Sequence, residues 1–308
     1  MLRSFAEVLE RARAISAART EPMRIAAAAG EDEASIIALD EARREGLARP
    51  IIVGEREVAV AEMARLGIDP AGFGFVEAAG LDNKAEAAVS LVRTGGADVL
   101  MKGMLPTSTF LHPVFVHGTG LLPPGGFVSH VGFIEWREAG RLILQTDGGL
   151  NIAPDIGKKK GMIINAVAAA RMLGIERPKV ALISATEKVH SKILSSVDAG
   201  LLSDWARDAL PDADVDGPLS FDIAVSAEAA AHKGVTGPVA GRADILVGPD
   251  IETQNVVYKA FRYLAHAEGA GILVGAACPV VLASRSDSPR EKLNSIALAV
   301  VYAASKNA

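Results

Sequence analysis

The regular alternation of short apolar runs with longer amphipathic stretches most limits what this chain can fold into. In its first half, the predicted strands are residues 23–29, 50–54, 74–78 and 97–101. The predicted helices between them are residues 32–45, 57–66 and the stretch around 84–93. Strands of near-continuous Val, Ile and Leu that alternate with helices are typical of a parallel sheet covered on both faces. The sequence therefore predicts an α/β fold.

The middle of the chain interrupts this alternation and then restores it. Residues 127–135 and 141–145 predict two strands joined by a turn around Gly140, as in an antiparallel hairpin. The remaining predicted elements are helix 156–173 ending near Gly174, strand 179–184, helix 191–210, loop 211–220, helix 222–232, strand 243–247, helix 251–265, strand residues within 271–283 split by Pro279, and helix 289–305. A chain of 308 residues is expected to form two domains. We predict two packed α/β units with a seam near residues 146–154.

Composition narrows the possible partners. The net charge is -5, from 32 basic and 37 acidic residues, so there is no basic excess for a nucleic-acid backbone, although a local basic pocket could still bind a small anion. No window of about 18 uncharged apolar residues occurs, and residues 1–19 lack the apolar core of a signal peptide. The single cysteine, Cys278, lies in an apolar stretch and is interpreted as a buried residue in a reducing compartment. We predict a cytoplasmic protein without nucleic-acid or membrane partners.

Four loops follow predicted strands, where open parallel sheets bind ligands. In the first, residues 101–109, Lys102 is expected to be exposed at the end of its strand. Thr107 or Ser108 is expected to cap the next helix, whose first amide groups would form an anion site. The alternative is a plain helix cap beside a solvated lysine.

The second loop, residues 147–155, contains paired glycines that allow a ligand to approach the backbone closely. Asn151 and Asp155 offer polar groups there, but Asp155 could equally be a plain helix cap. The lysines at 158–160 are expected to be a solvated first helical turn. The third loop, residues 216–222, is interpreted as a Gly-Pro turn in which Ser220 or Asp222 caps a helix.

The fourth loop, residues 284–288, is the one in which we most expect function. It contains one arginine and three serines, and a guanidinium fork with hydroxyl donors suits a phosphate oxyanion. We therefore predict functional roles for Ser284 and Arg285. Ser288 is expected to cap the last helix together with Glu291 three residues later, and that cap is the simpler interpretation of both.

Several common sites are missing from the sequence. The six histidines show no zinc-ligand spacing with cysteine, and neither GxSxG nor GxxxxGK[ST] occurs. No GxGxxG follows the first predicted strand, which argues against a standard dinucleotide-binding domain. No metal site is predicted.

From about residue 97 to the end, the chain resembles the phosphate acetyl/butyryltransferase family. No single motif is specific, but the whole set in this order is strong evidence of the resemblance. The chain length and the SRSDS form of the last motif fit the butyryl-type branch better than the acetyl-type branch. The motifs are residues 100–103, 128–131, 146–154, 184–188, 216–218, 240–244 with 249–250, and 284–288.

The resemblance implies a two-domain α/β/α parallel-sheet fold similar to that of isocitrate and isopropylmalate dehydrogenases, with the active site in the cleft between domains. The expected domains are residues 1–147 plus 288–308, and residues 148–287. The resemblance also implies a homodimer or larger homo-oligomer. It implies coenzyme A as a substrate rather than a cofactor, and no metal or redox cofactor.

The implied reaction is acyl-CoA + phosphate = acyl phosphate + CoA, for a short acyl group of butyryl or acetyl type. Ser284 and Arg285 would hold the phosphoryl oxygens and the developing oxyanion, and a carboxylate would take the thiol proton. In acetyl-type members the base is an aspartate seven residues beyond the serine of the Ser-Arg pair. Glu291 has that position here and Asp287 competes with it. The predicted substrate-binding residues are Lys102, Thr107, Ser108, His112, Asp147, Asn151, Asp155 and Ser288.

One departure from the family keeps other functions open. The family commonly has a phosphate-contacting arginine after the Thr/Ser of the first loop, where this chain has His112. Histidine is neutral much of the time near pH 7 and has no bidentate fork of donors. Phosphate binding could therefore be weaker, the acyl acceptor could be different, or catalysis could be lost. Lys102 could instead supply the missing charge. A non-catalytic acyl-CoA or phosphate sensor is therefore the alternative. An NAD(P)-dependent decarboxylating dehydrogenase would need a metal-binding aspartate cluster, which Asp244 and Asp250 alone do not form.

Overall fold

The computed structural model describes residues 1–306 as an α/β protein. The strands are β1 Met23–Ala28, β2 Ala48–Gly54, β3 Gly74–Glu77, β4 Val99–Lys102, β5 Ser129–Trp136, β6 Arg141–Thr146, β7 Lys179–Ile183, β8 Asp214–Leu219, β9 Ile245–Val247, β10 Gly269–Val274 and β11 Val280–Val281. The helices are α1 Phe5–Ala17, α2 Glu33–Arg44, α3 Arg56–Leu66, α4 Leu81–Arg93, α5 Thr107–Phe115, α6 Ile156–Met172, α7 Leu194–Ala209, α8 Phe221–Val225, α9 Ala227–His232, α10 Ile251–Tyr263 and α11 Pro289–Ser305. None of these helices is long and apolar enough to cross a membrane.

The described residues divide into two compact units. The first unit contains residues 5–126 and continues from Ala270, and the second contains residues 1–4 and 127–269. Residues 307 and 308, which the sequence analysis places in the first domain, lie outside the described residues.

The strands of the first unit follow the order β3-β2-β1-β4-β11-β10. All neighbours in this series are parallel except β10 and β11, which are antiparallel. The unit is built around α11, in which every residue from Glu291 to Tyr302 is buried and which packs against α1 and α2. A helix apolar on nearly all sides forms where other elements surround it, and the small side chains of β1 (MRIAAA) allow close packing there.

The second unit contains the series β5-β6-β9-β7-β8. The predicted hairpin is confirmed, since β5 and β6 pair antiparallel with Gly132 opposite Gln145. The pairs β6–β9, β9–β7 and β7–β8 are parallel. Buried apolar residues including Ile134, Ile143 and Leu246 form the core of this unit.

Three sequence-based assignments were wrong or incomplete. Residues 211–220 are not a plain loop, because they contain β8. Gly217 and Pro218 made this segment look like a turn. A proline is nevertheless tolerated in an edge strand such as β8, because one side of an edge strand makes no hydrogen bonds to a neighbouring strand. The predicted helix 222–232 is two short helices divided at Ser226, whose hydroxyl accepts from the Ala229 amide and starts α9. The first helix, α1, was not predicted.

The units differ from the predicted domain boundaries at three places, the first being residues 1–4, which belong to the second unit. The β5–β6 hairpin belongs to the second unit because β6 pairs with β9. Residues 270–287 belong to the first unit because β11 pairs with β4. The two compact units therefore have other bounds than the predicted domains. The division into residues 1–147 plus 288–308, and 148–287, stays a prediction.

Candidate functional site

Two of the predicted site loops leave the first unit side by side. Strands β4 and β11 are parallel neighbours, with Leu100 opposite Val280 and Met101 opposite Val281. Lys102 ends β4, and residues 284–288 follow β11 after two intervening residues. The first and fourth loops therefore start at the same edge of the sheet, at the carboxyl ends of their strands.

Lys102 is buried, with 2% of its surface exposed, so the expectation of an exposed lysine was wrong. The following residues continue alongside the end of β1, because the amides of Gly103 and Met104 donate to the carbonyls of Ala28 and Ala29. A side chain at Gly103 would collide with the Ala29 carbonyl, so glycine permits this approach. The Lys102 Nζ donates to the carbonyl oxygens of Gly103 (3.1 Å) and Leu105 (3.2 Å).

The Lys102 ammonium is in an unfavourable electrostatic environment. Burial, followed by repulsion from Lys292 and Arg285, lowers its pKa to about 8, against the opposing attraction of Asp32 and Asp287. These contributions also show that the first loop and the fourth loop are within electrostatic range of each other. The structure thus brings Lys102, Arg285 and Asp287 together.

The fourth loop is held in a tight turn by Asp287. Its Oδ2 accepts from the Ser284 amide (2.7 Å), and its own amide donates to the Ser284 carbonyl (3.2 Å). The hydroxyls of Ser284 and Ser286 are 3.0 Å apart. Ser284 and Arg285 are exposed. Asp287 therefore shapes the turn on which the exposed residues Ser284 and Arg285 lie.

Ser288 and Glu291 form the predicted capping box at the start of α11. The Glu291 Oε2 accepts from both the amide and the hydroxyl of Ser288, each at 2.9 Å. Glu291 is only 6% exposed. The simpler interpretation of these two residues, a helix cap, is therefore confirmed, and their assignment to catalysis and substrate binding stays a prediction.

Lys292 is the residue of this site that the sequence analysis missed. It is 3% exposed, and its Nζ donates to the Ser284 carbonyl (3.4 Å). A signal was present, because a lysine in the first turn of a helix opposes the helix dipole, and the apolar residues after it predict a buried helix. A buried lysine in that position needs a reason, and here it supports the turn that presents Arg285.

The rest of the first loop differs from expectation. Pro106 occupies the N-cap position of α5 without a side-chain cap, so neither Thr107 nor Ser108 caps the helix. Both are exposed in its first turn. His112 is also exposed and lines a cavity of about 330 Å³ with residues of α4, α5 and Thr119. Glu86, Ser90 and Arg93 of α4 line the same cavity.

The second loop, in the second unit, is organised by Asp147, which is 1% exposed. Its Oδ1 accepts from the amides of Gly149 (2.9 Å) and Leu150 (2.8 Å). Its Oδ2 accepts from the His130 amide (2.9 Å) and the Asn151 side chain (2.7 Å). Four donors satisfy a carboxylate, so Asp147 holds the loop in shape from inside. Its assignment and that of Asn151 to substrate binding stay predictions.

Asp155 and the lysines after it have structural partners. Asp155 caps α6 by accepting from the Lys158 amide (2.8 Å), as its simpler interpretation predicted. The expectation that residues 158–160 are a solvated turn was wrong in part. Lys159 is buried because it pairs with Asp198 (2.6 Å), and the Lys160 ammonium lies 5.2 Å from the ring centre of Trp205.

A polar cluster at the carboxyl ends of β7 and β8 was also missed, apart from the interpretation of two members as caps. The Ser220 hydroxyl is 2.6 Å from carboxylate oxygens of both Glu187 and Asp222. The Lys233 Nζ lies 3.1 Å and 3.2 Å from the same two carboxylates. The bond to Ser220, followed by that to Lys233, lowers the pKa of each carboxyl group. The two carboxylates of this cluster therefore share one ammonium group.

The comparisons with known proteins agree with one another. Residues 80–300 match a family model described as phosphate acetyl/butaryl transferase. The chain is 41% identical over 307 residues to phosphate butyryltransferase of Clostridium acetobutylicum, covering 99% of this chain and 100% of the relative. It is 37% identical to phosphate acetyltransferase of Rhizobium meliloti, covering 96% and 94%.

Among solved structures, the chain resembles a branched-chain phosphotransacylase from Enterococcus faecalis V583. That likeness has a TM-score of 0.81 at 34% identity, and covers 91% of this chain and 99% of the other. The family model spans well over half of the chain and the relatives are matched over nearly their full length. This chain therefore belongs to the phosphate acetyl/butyryltransferase family.

Proposed function

We propose that this protein exchanges a short acyl group, of butyryl or acetyl type, between coenzyme A and inorganic phosphate. The reaction is acyl-CoA + phosphate = acyl phosphate + CoA. The proposal is supported by family membership and by relatives named phosphate butyryltransferase and phosphate acetyltransferase.

The observation that carries the proposal is the grouping of Lys102, Lys292 and Arg285 around Ser284, whose carbonyl accepts from Lys292, at the carboxyl ends of β4 and β11. Three cations face two carboxylates, Asp32 and Asp287, so the group has excess positive charge. A phosphoryl dianion entering it would relieve the repulsion that lowers the pKa of Lys102. The group is therefore suited to bind phosphate.

Within this site Arg285 would bind the phosphoryl oxygens through its planar fork, and the Ser284 hydroxyl would donate to the oxyanion that develops at the acyl carbon. Asp287 would act by fixing the turn that carries both side chains. Ser288 and Glu291 would fix the start of α11, on which Lys292 lies. Holding both anionic substrates in line would supply much of the rate enhancement.

The remaining parts of the proposal rest on the resemblance to the family. Coenzyme A is a substrate, no metal or redox cofactor takes part, and the assembly is a homodimer or larger homo-oligomer. We also propose a cytoplasmic location, because a chain with one cysteine forms no internal disulfide and is compatible with a reducing compartment. Burial raises the pKa of the Cys278 thiol to about 12, so this thiol stays protonated and unreactive. Thr107, Ser108, His112, Asp147, Asn151 and Asp155 are proposed to contribute to substrate binding directly or by shaping loops.

The proposal is tested by incubating the purified protein with acetyl-, propionyl- or butyryl-CoA and phosphate while free thiol is measured. We expect thiol release that requires phosphate and that collapses in Arg285→Ala, and the relative rates would give the acyl preference. Binding of acyl-CoA without release would overturn the proposal and favour the non-catalytic sensor that the His112 substitution suggests. The control is the same assay without phosphate.

A further inference from the structure

The reaction moves a proton, and both predicted carboxylates already accept hydrogen bonds that hold the backbone in place. The Glu291 Oε2 accepts two hydrogen bonds from Ser288, and Glu291 is buried at the start of α11. The Asp287 Oδ2 accepts from the Ser284 amide at 2.7 Å. Protonating either would weaken the bonds that hold the cap or the turn. Lys102 is a further titratable group of the same site that can exchange a proton.

The geometry of Lys102 suits proton transfer. Two backbone carbonyls accept from its Nζ, those of Gly103 at 3.1 Å and Leu105 at 3.2 Å. A neutral amine has two N–H donors and one lone pair, whereas an ammonium has three donors. The two carbonyls satisfy the donors of the neutral amine, so the third tetrahedral position holds the lone pair, or an extra proton when the group is charged.

The charges around Lys102 make the neutral form accessible. Lys292 of α11 and Arg285 of the fourth loop repel the ammonium, while Asp32 at the start of α2 and Asp287 attract it. Burial is the largest effect, and the resulting pKa of about 8 lies close to that of a thiol. A group with such a pKa can both accept and return a proton near neutral pH.

We propose that Lys102 carries the proton during acyl transfer; this rests on the function proposed above. In the direction from acyl-CoA, HPO₄²⁻ passes its proton to the neutral Lys102 amine as its oxygen bonds to the thioester carbon. When the C–S bond breaks, the Lys102 ammonium returns that proton to the sulfur. One C–O bond forms and one C–S bond breaks. The products are the acyl phosphate dianion and the CoA thiol, and Lys102 is neutral again.

The first test separates charge from proton transfer with Lys102→Arg. Arginine keeps the positive charge but does not release its proton in proteins. We expect kcat for acyl-CoA and phosphate to fall about 10²- to 10⁴-fold, with a much smaller change in the KM for phosphate. A kcat within about fivefold of the unmodified protein would overturn the proposal, because general acid–base catalysis contributes more than that.

The second test uses Lys102→Ala with added amines, after circular dichroism has shown that the variant is folded. Methylamine can accept and return a proton, whereas tetramethylammonium supplies only charge. We expect methylamine to restore activity in proportion to its free-base concentration and tetramethylammonium to have no effect. Equal rescue by both would assign Lys102 a purely electrostatic role and overturn the proposal.

The third test leaves Lys102 in place and changes a neighbouring residue, Lys292, instead. Lys292→Met removes one repelling cation, so the pKa of Lys102 rises and the acid limb of kcat/KM for phosphate moves to higher pH. The ionisation of free phosphate is the same for both proteins and cannot produce this shift. An unshifted limb would contradict the proposal. Failure of the unmodified protein to release thiol with phosphate would instead refute the proposed function.

Discussion

The loop after β11 and the loop after β6 both follow buried strands and both contain an aspartate that holds the loop in shape, yet their charges are arranged in opposite ways. In the loop of residues 147–155, four donors surround the Asp147 carboxylate and satisfy it completely. Around residues 284–288, three cations outnumber the two carboxylates near them, and Arg285 is exposed. The difference indicates that the loop of residues 147–155 is built for stability and the loop of residues 284–288 for binding an anion.

The largest expected effect tests the binding side of this comparison. Arg285→Ala removes an exposed guanidinium that we place on the phosphoryl group, so kcat/KM should fall about 10²- to 10³-fold, as when one oxyanion donor is lost. The melting temperature should change little, because exposed side chains contribute little to stability. Steady-state kinetics and thermal unfolding of the same preparation measure both. Equal losses of activity and stability would contradict the assignment.

The second prediction concerns the cost of the buried lysine. Because the folded state lowers the pKa of Lys102 from 10.5 to about 8, the unfolded chain binds more protons between these values, and this residue makes stability rise with pH there. Below pH 8 the full penalty, at most about 3 kcal/mol, opposes folding. Lys102→Met should therefore be more stable than the unmodified protein at pH 7, and the difference should shrink towards pH 10.5.

Urea unfolding at pH 7 and pH 10 measures this difference. A Lys102→Met variant that is less stable at pH 7, with a gap independent of pH, would show that the lysine is well accommodated as an ammonium. The comparison between the two loops would then lose its electrostatic basis.

The third prediction tests the stability side. Asp147→Asn replaces an acceptor-only carboxylate by an amide whose NH₂ group faces backbone donors, so the free energy of unfolding should fall by about 2 kcal/mol. The activity per folded molecule should fall much less than in Arg285→Ala. Denaturant unfolding and active-site-normalised rates would check this, and a large kinetic defect without lost stability would move Asp147 into the binding machinery.

The smallest expected effect concerns the start of α11. Ser288→Ala removes the side-chain acceptor of the capping box and should cost about 1 kcal/mol of stability. Ser286→Ala is the matched control, because that exposed serine lies in the same loop outside the cap. Similar costs for the two variants in urea unfolding would contradict the capping assignment.

Much of the fold could be predicted because the apolar runs of β1, β2 and β4 have few alternatives to a buried parallel strand. Strand β8 could not, since the pattern around Gly217 and Pro218 indicates a turn and only its pairing with β7 makes it a strand. Local patterns also identified the Ser288 cap, whereas the functional role of residues 284–288 stays a prediction.

The sequence alone could not show that Lys102, Lys292 and Arg285 form one charged group. Lys102 and Lys292 are 190 positions apart and meet only because β4 and β11 are neighbours. The burial of Lys102 also depends on how Gly103 approaches Ala29, a tertiary contact that local patterns do not specify. Spacing along the chain predicts caps well because they are local, whereas an electrostatic site is made by topology.

The most direct test of the central claim is to follow butyryl-CoA and phosphate by ³¹P NMR in the presence of the unmodified protein and of Arg285→Ala. We predict that, with the unmodified protein, an acyl phosphate resonance appears at the same rate as free thiol. With the variant, this resonance should be nearly absent. Thiol release without acyl phosphate, or equal acyl phosphate formation by both proteins, would contradict the claim that the charge group around Arg285 delivers phosphate to the acyl carbon.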